Sequence, residues 1–326
     1  MYKPLLNINE TQYAIAKLKS IFSLSIAKKL NLIRVSAPLF LTSSSRLNDG
    51  LNGEKPVVFS VKDFDDKLEI VHSLAKWKRQ ALANYNFKMH TGLYCDMNAI
   101  RREEELDFLH SIYVDQWDWE LIIAKEERNK VTLQKIAKNV FDCLKTTDKK
   151  IRAQYPQLSK KLPNKLFFIS SSELQKLYPH LTPDQREYEI VKKHKAVFIT
   201  EIGHPLADKV PHSLRAKDYD DWNLNGDLIV YHAPNDCALE ISSMGIRVDD
   251  LAIINQYKKT KEDIENISSY HSNIVNSKLP YTVGGGLGQS RIAMFLLEKQ
   301  HIGEVQVSIW SDQEKQNLKN KGINLL

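Results

Sequence analysis

Apolar residues recur at helical spacing near the start of the chain: Ile15, Leu18, Ile21 or Phe22, and Ile26 fall on one stripe. The pattern predicts an amphipathic helix running to about Leu30, with Thr11 as its N-cap. Asn31 turns the chain into Leu32-Ile33-Arg34-Val35, a strand that stops at Ala37-Pro38. A polar loop, Thr42 to Gly53, holds turns at Asn48-Asp49-Gly50 and Asn52-Gly53. A hairpin follows, Val57 to Val61 against Leu68 to Val71, and then a helix from Leu74 to Tyr85 carrying Lys76, Lys78 and Arg79. The period becomes two in strands Leu93 to Ile100 and Ile112 to Glu120. In the second, Val114, Gln116, Asp118 and Glu120 share one face, and Tyr113, Asp115, Trp117 and Trp119 the other. Such a strand packs its aromatics on helices and turns its polar row to a pocket or to solvent.

The helical period returns from Glu126 to about Lys150, with Leu133, Ile136, Val140 and Leu144 as the stripe. Strand Leu166 to Ser170, a short helix from Ser172, helix Asp184 to His194 and strand Ala196 to Glu201 complete a middle segment. It reads as an α/β insertion at about 126–210. Strands Leu228 to Tyr231 and Cys237 to Ser242 form another hairpin about Pro234-Asn235-Asp236. Alternation places Asp227 with Ile229 and Tyr231, and Glu240 with Ala238 and Ser242. The two carboxylates thus fall together, where they repel unless a cation joins them. Mg²⁺ takes one or two carboxylates plus phosphate oxygens; a surface pair of acids is the other reading. After a long helical region, strand Tyr281 to Val283 runs through Gly284, Gly286 and Gly288 into an apolar helix opened by Arg291. Glycines there admit close approach to the backbone, and a helix start favours an anion, unless they serve only tight packing. No Gly-Lys-Ser/Thr follows, which excludes a Walker loop. Strand Val305 to Trp310 and a charged tail end the pattern.

Composition alters this picture little. The 326 residues suit one large domain or two small ones. Lys and Arg number 46 against 40 Asp and Glu, and the resulting +6 is spread out. The thickest basic run, Lys149 to Lys165, is diluted by Pro156 and Pro163 and reads as solvated surface rather than a nucleic-acid groove. Cys95, Cys143 and Cys237 lie far apart and suggest neither a disulfide framework nor a zinc site, hence a reducing compartment. No apolar run reaches the length of a membrane span, and the N-terminus lacks a signal-peptide core. A soluble cytoplasmic protein is expected.

The ordered set Pro38, Arg101-x-Glu103, Glu240, Arg247 and the Gly284 to Arg291 block resembles the catalytic core of class II aminoacyl-tRNA synthetases, nearest the aspartate-specific branch. Ser290 stands where those enzymes carry Glu. Longer strings are more specific: HSLAKWKRQ (72–80), HSIYVDQWDWE (110–120), DYDDW (218–222), LNGD (224–227), ISSMGIRV (241–248) and GGGLGQSR. Across nearly the whole chain these resemble the ammonia-dependent aspartate–ammonia ligases, the asparagine synthetase A family, in which serine at position 290 is usual. One departure is that only Asn223 separates DYDDW from LNGD, where the family has several more residues. It puts in doubt any role of Asp220 or Asp221 that depends on that loop.

The resemblance implies an α+β fold, a class II synthetase-like antiparallel sheet flanked by helices, in a single catalytic domain over 1–326 and a homodimer. It implies that aspartate, ATP and ammonia become asparagine, AMP and pyrophosphate through β-aspartyl-adenylate. Carried over by position, Arg101 holds the α-phosphate and the transferred carboxylate, and Arg291 the distal phosphates. Asp227 and Glu240 take Mg²⁺. Asp49, Lys78 and Gln116 hold aspartate, with Asp49 meeting its ammonium group or the incoming ammonia, and Ser243 and Arg247 join them. His110 and Ser111 lie near the adenosine. No glutaminase segment and no anticodon-reading domain is apparent, so free ammonia is the expected nitrogen donor and no nucleic acid the partner. A truncated aspartyl-tRNA synthetase core and a non-catalytic paralogue are the alternatives. Retention of Arg101, Arg291, Asp227 and Glu240 argues against the second.

Overall fold

Helix α1 (Ile8–Leu30) begins one turn earlier than Thr11 suggests. Asn7 is the cap: its side chain accepts from the Glu10 N–H while Glu10 accepts from the Asn7 N–H. Thr11 sits inside the helix and bonds back to the Asn7 carbonyl. Asn31, in the left-handed conformation at φ 55°, ends α1 and feeds β1 (Leu32–Arg34). The computed structural model describes residues 2–48 and 53–326; Asp49 and parts of both turns expected in the polar loop lie outside them. Strands β2 (Phe40–Thr42), β3 (Val58–Phe59) and β4 (Leu68–Ile70) make a small sheet in the order β2-β4-β3. Helix α2 (Ala75–Asn84) and the long antiparallel pair β5 (Gly92–Ile100) and β6 (Tyr113–Ile122) come next.

After β6, Lys125–Glu127 forms a 3-10 turn, and Asn129 caps α3 (Lys130–Gln154), so this helix starts later than its charge pattern implies. Strand β7 (Phe167–Ser170), helices α4 (Ser171–Leu177) and α5 (Pro183–His194) and strand β8 (Ala196–Thr200) follow. Then come β9 (Asp220–His232), β10 (Cys237–Arg247), and helices α6 (Asp250–Tyr257), α7 (Lys261–Glu265) and α8 (Ser269–Val275). Strand β11 (Thr282–Gly288), helix α9 (Gln289–Leu296) and helix α10 (Asp312–Lys321) finish the chain.

Among the described residues eight strands form one sheet in the order β1-β5-β6-β11-β10-β9-β8-β7. Its centre is antiparallel and both ends are parallel. The middle segment therefore lengthens the main sheet, since β8 pairs with β9 and β7 with β8. One face of the sheet is roofed by α1, α3 and α9, whose Phe22, Leu133, Val140, Leu144 and Phe295 share a core with Trp117 and Trp119. Phe22 stacks on Trp117 with ring centroids 4.8 Å apart. The aromatic face of β6 is thereby used up, and its polar face turns to the other side of the sheet.

Residues 305–310 do not form the expected strand. Val307 and Ile309 alternate but are 65% and 73% exposed, and no strand pairs with them among the described residues. The charged tail is α10 instead, capped by Ser311. The three cysteines are unbridged. Among the described residues no helix is long and apolar enough to cross a membrane.

Candidate active site

The face of β6, β11, β10 and β9 turned away from α1, α3 and α9 is the floor of a cleft of about 380 Å³, with Lys78 of α2 on its lining. Register explains why glycine recurs on it. Gly284, Gly286 and Gly288 lie opposite Glu120, Asp118 and Gln116 of β6, and Gly284 and Gly286 lie opposite Gly245 and Ser243 of β10. Gly284 and Gly286 are inside β11, while Gly288 is its last residue and the N-cap of α9, where the sequence placed the passage from strand to helix. A Cβ at Gly284 would overlap the Glu120 carboxylate, and one at Gly286 the Gln116 amide. The bare floor leaves room for the long polar side chains on either side.

Around this floor the charges are paired. Lys78 of α2 bonds Asp118 at 3.1 Å and the Gly285 carbonyl at 3.1 Å. Arg247 donates to both oxygens of Glu120 (2.9 Å from Nε to Oε1, 2.7 Å from Nη2 to Oε2) and to Asp220 at 2.5 Å. Burial would raise the Glu120 carboxyl, but Arg247 and Lys78 hold it below the usual range. At Asp220 burial prevails over Arg247 and Arg215, and its carboxyl is raised. Asp220 and Asp221, doubtful from the short connection, both have firm partners here: Asp221 pairs with Arg128 at 3.0 Å.

Arg101 ends β5 at the cleft wall, its backbone N–H bonded to Ile112 and its guanidinium 3.8 Å from Glu104. Glu103 of the Arg-x-Glu motif accepts instead from the Lys55 N–H. The Nε of Arg101 is buried without a partner. His110 Nδ1 bonds Asp107 at 2.9 Å, and its Nε2 faces Arg291 Nη2 at 3.0 Å. Although burial opposes it, the bonds from His110 and the Leu109 N–H hold Asp107 below its usual pKa. Ser111 donates to Gln306 at 2.7 Å, and the Gln306 amide donates to Asp115 and Ser290. Ser290, in place of a carboxylate, belongs to this clasp, and Asp115 also accepts the Ser290 N–H at the start of α9. Gln306, read from sequence as part of a strand, is a lining residue the pattern concealed.

Asp227 and Glu240 line the same cleft. The expectation that Glu240 shares a face with Ser242 is corrected by a bulge: the register skips a residue between them. Beyond it Ser243, opposite Asp227, is on Glu240's face, while Ser242 bonds the Gly286 carbonyl. The crowded wall and the nearby Asp227 push the Glu240 carboxyl upward, although 43% of its side chain still meets solvent. Arg291 reaches the Glu240 carbonyl at 3.3 Å. Arg215, which sequence reading left among the crowded charges of RAKDYDDW, pairs with Asp227 at 2.5 Å and donates to Ser243. Despite burial, Asp227 and Asp220 raise its pKa. Of the expected residues the cleft collects Lys78, Arg101, His110, Ser111, Gln116, Asp227, Glu240, Ser243, Arg247 and Arg291.

A sheet of this order, with one arginine directly after the long strand β5 and another in the first turn of the helix after a glycine strand, defines a fold of the class II aminoacyl-tRNA synthetase type. Solved structures agree on the fold. Asparaginyl-tRNA synthetase from Pyrococcus horikoshii, complexed with asparaginyl-adenylate, superposes with a TM-score of 0.65 at 15% identity, over 91% of this chain and 68% of that one. The Entamoeba histolytica asparaginyl enzyme gives 0.61 at 16%, over 91% of this chain and 66% of that one. Within this class, the chain belongs to the aspartate–ammonia ligase family, whose model matches residues 9–322, and it is an enzyme of that family. The aspartate–ammonia ligase of Ruminiclostridium cellulolyticum is 52% identical over 328 residues, covering 100% of this chain and 97% of that protein. That of Ureaplasma urealyticum is 52% identical over 322 residues, covering 98% of each.

The crowding at Gly284 carries a measurable consequence. Gly284→Ala forces Glu120 and Arg247 apart and should lower unfolding stability by about 1–3 kcal/mol, the range for overpacking. Gly288→Ala, whose nearest neighbour is the Arg291 side chain at 3.2 Å, should cost less. Urea denaturation compares them, and equal midpoints for Gly284→Ala and the native chain would contradict the packing account.

Proposed function

We propose that the cleft makes asparagine from aspartate and ammonia through β-aspartyl-adenylate, with release of pyrophosphate and then AMP. The observation that carries this reading is the gathering of Arg101, Arg291, Lys78, Arg247 and Gln116 around one glycine floor. A carboxylate acylates poorly, so its oxygen first attacks the α-phosphorus of ATP and pyrophosphate leaves. Ammonia then adds to the acyl carbon, loses a proton, and AMP departs with the C–O bond electrons. The protein's tasks are positioning and charge neutralisation.

Arg101 is suited to the α-phosphate and the reacting carboxylate, since its Nε–H is unspent and planar guanidinium matches such oxygens in pairs. Arg291, at the cleft's outer wall beside His110, suits the distal phosphates, with His110 and Ser111 toward the adenosine. Gln116 and Lys78 face the aspartate, and Arg247 keeps N–H groups beyond those spent on Glu120 and Asp220. Ser243 lies beside them, and Asp49 belongs to the same set by position in the family. Asp227 and Glu240 fit Mg²⁺: one or two carboxylates plus phosphate oxygens are its usual ligands. Among the described residues no cluster of three or more potential ligands exists, so phosphate oxygens would have to complete the shell. When bound, Mg²⁺ neutralises phosphate charge.

The same reading takes the chain as one catalytic domain with 126–210 as an insertion, acting in the cytoplasm without nucleic acid. A homodimer would cover Tyr13, Leu24 and Ile33, apolar residues exposed on α1 and β1.

Sustained pyrophosphate release over many turnovers that requires both aspartate and ammonium, with no tRNA added, tests the function; release that requires tRNA would overturn it. Arg101→Ala should reduce aspartate-dependent exchange of labelled pyrophosphate into ATP by about 10²-fold or more. Exchange within about threefold of the native rate would remove Arg101 from its role. Asp227→Asn and Glu240→Gln should each raise the Mg²⁺ concentration for half-maximal rate. The double variant should cost less than the sum, because groups serving one ion are not independent. Native midpoints in both single variants would make the pair structural.

A further inference from the structure

Arg215 has no part in the scheme above, yet it is paired with Asp227 of the carboxylate pair, while Arg291 stands 3.9 Å from the Glu240 carboxylate. It comes from the irregular stretch between β8 and β9, whose Ser213, Leu214 and Ala216 form one wall of the cleft. Its Nη2 bonds Asp227 Oδ1 at 2.5 Å, its Nη1 donates to Ser243, and its Nε lies 3.8 Å from Asp220. The side chain is only 8% exposed, and its Nε has no hydrogen-bond acceptor. The fork is therefore held by charge more than by a full set of hydrogen bonds.

A guanidinium placed there does for Asp227 what a metal would do. Without a cation, Asp227 and Glu240 would repel across the bulge. With both cations present, a dication on Asp227 would stand on the order of 5 Å from the guanidinium, given metal–oxygen bonds near 2 Å. Like charges at that range in a half-buried site oppose each other strongly.

We propose that Arg215 is the resident counter-ion of Asp227 in the nucleotide-free enzyme and yields it to the metal only when phosphate arrives with it. Phosphate supplies the negative charge that lets both cations remain in the cleft. The consequence is an order: the metal enters with the nucleotide and is kept out before it. Arg215 is then a gatekeeper for the metal, acting through Asp227, and the wall from Ser213 to Ala216 shifts with it. This inference rests on the assignment of Asp227 and Glu240 to Mg²⁺.

The test is Mn²⁺ binding to the nucleotide-free full chain, read by the loss of the free-ion electron paramagnetic resonance signal. Arg215→Gln removes the charge and should tighten Mn²⁺ binding at least fivefold. Arg215→Lys keeps the charge and should stay within twofold of the native affinity. Adding Asp227→Asn to Arg215→Gln should abolish the gain. Equal affinity in Arg215→Gln and the native chain, with Asp227→Asn weakening both, would overturn the gatekeeper while leaving the metal site intact. Gain in Arg215→Lys equal to that in Arg215→Gln would also overturn it, because shape rather than charge would then be responsible. Mn²⁺ binding indifferent to both Asp227→Asn and Glu240→Gln would remove the metal assignment itself.

Discussion

The site depends on one buried cation. Arg247 is held between Glu120 and Asp220 beneath the cleft, and these bonds join β10 to β6 and β9. Thr282 of β11 adds a bond to the same Glu120 at 2.7 Å. Four neighbouring strands are thus fixed through one guanidinium. Burial would depress its pKa, yet Glu120 and Asp220 hold it well above the ordinary value, so it stays charged. A buried ion set of this kind adds little net stability over apolar packing, but loss of one partner is severe. Its contribution is geometric: it sets where the floor lies. The arrangement needs Gly284 and Gly245, because side chains there would meet Glu120, Arg247 and Asp220. Arg128 extends the same lock outward, donating to the Arg247 carbonyl and pairing with Asp221 and Asp249.

What sequence alone reveals of this follows the range of the interactions. Helix α1, strands β5 and β6 and the hairpin β9–β10 are set by local period and caps, and each forms in the expected place, although α1 starts a turn earlier and β9 and β10 are longer than the pattern predicts. The polar row Gln116, Asp118, Glu120 was legible because Trp117 and Trp119 alternate with it and commit the opposite face to the core. Ser242 was misjudged because a bulge is decided by pairing across strands, and nothing within ISSMG signals the skipped residue. The strand at 305–310 failed for the converse reason: alternation was present, but no strand edge was there to receive it. Arg215 was hidden because a loop cation has no period, and only the fold brings it to Asp227. Gln306 was lost with the false strand.

The comparisons and the residues meet at different depths. Similarity over the whole chain to aspartate–ammonia ligases gives the family, while the synthetases, at 15–16% identity, give the fold alone. The clasp at Ser290 shows why these are compatible. A carboxylate before Arg291 would sit against Asp115, which already accepts from the Ser290 N–H and from Gln306. With serine there, Asp115 keeps that place at the start of α9, where negative charge is favourable. The helix, and with it Arg291, is then held by a partner from β6.

A cleft that must hold phosphate and carboxylate charge faces a difficulty before its ligands arrive. Bare cations would repel one another, and long side chains would wander, so that ordering them would weaken binding. Here Lys78 is held by Asp118, Arg247 by Glu120 and Asp220, Arg215 by Asp227, and Arg291 by His110 and the Glu240 carbonyl. Each cation is already in place, and substrates exchange partners with groups whose positions are set by the sheet. Electrostatic stabilisation then comes from dipoles and charges that need little rearrangement. Arg101 differs from the rest. Its nearest acid, Glu104, is 3.8 Å away and its Nε has no acceptor, so it is less committed than Lys78, Arg215, Arg247 or Arg291. On the proposed reading, the group with the fewest prior obligations is the one that meets the reacting carboxylate and phosphate.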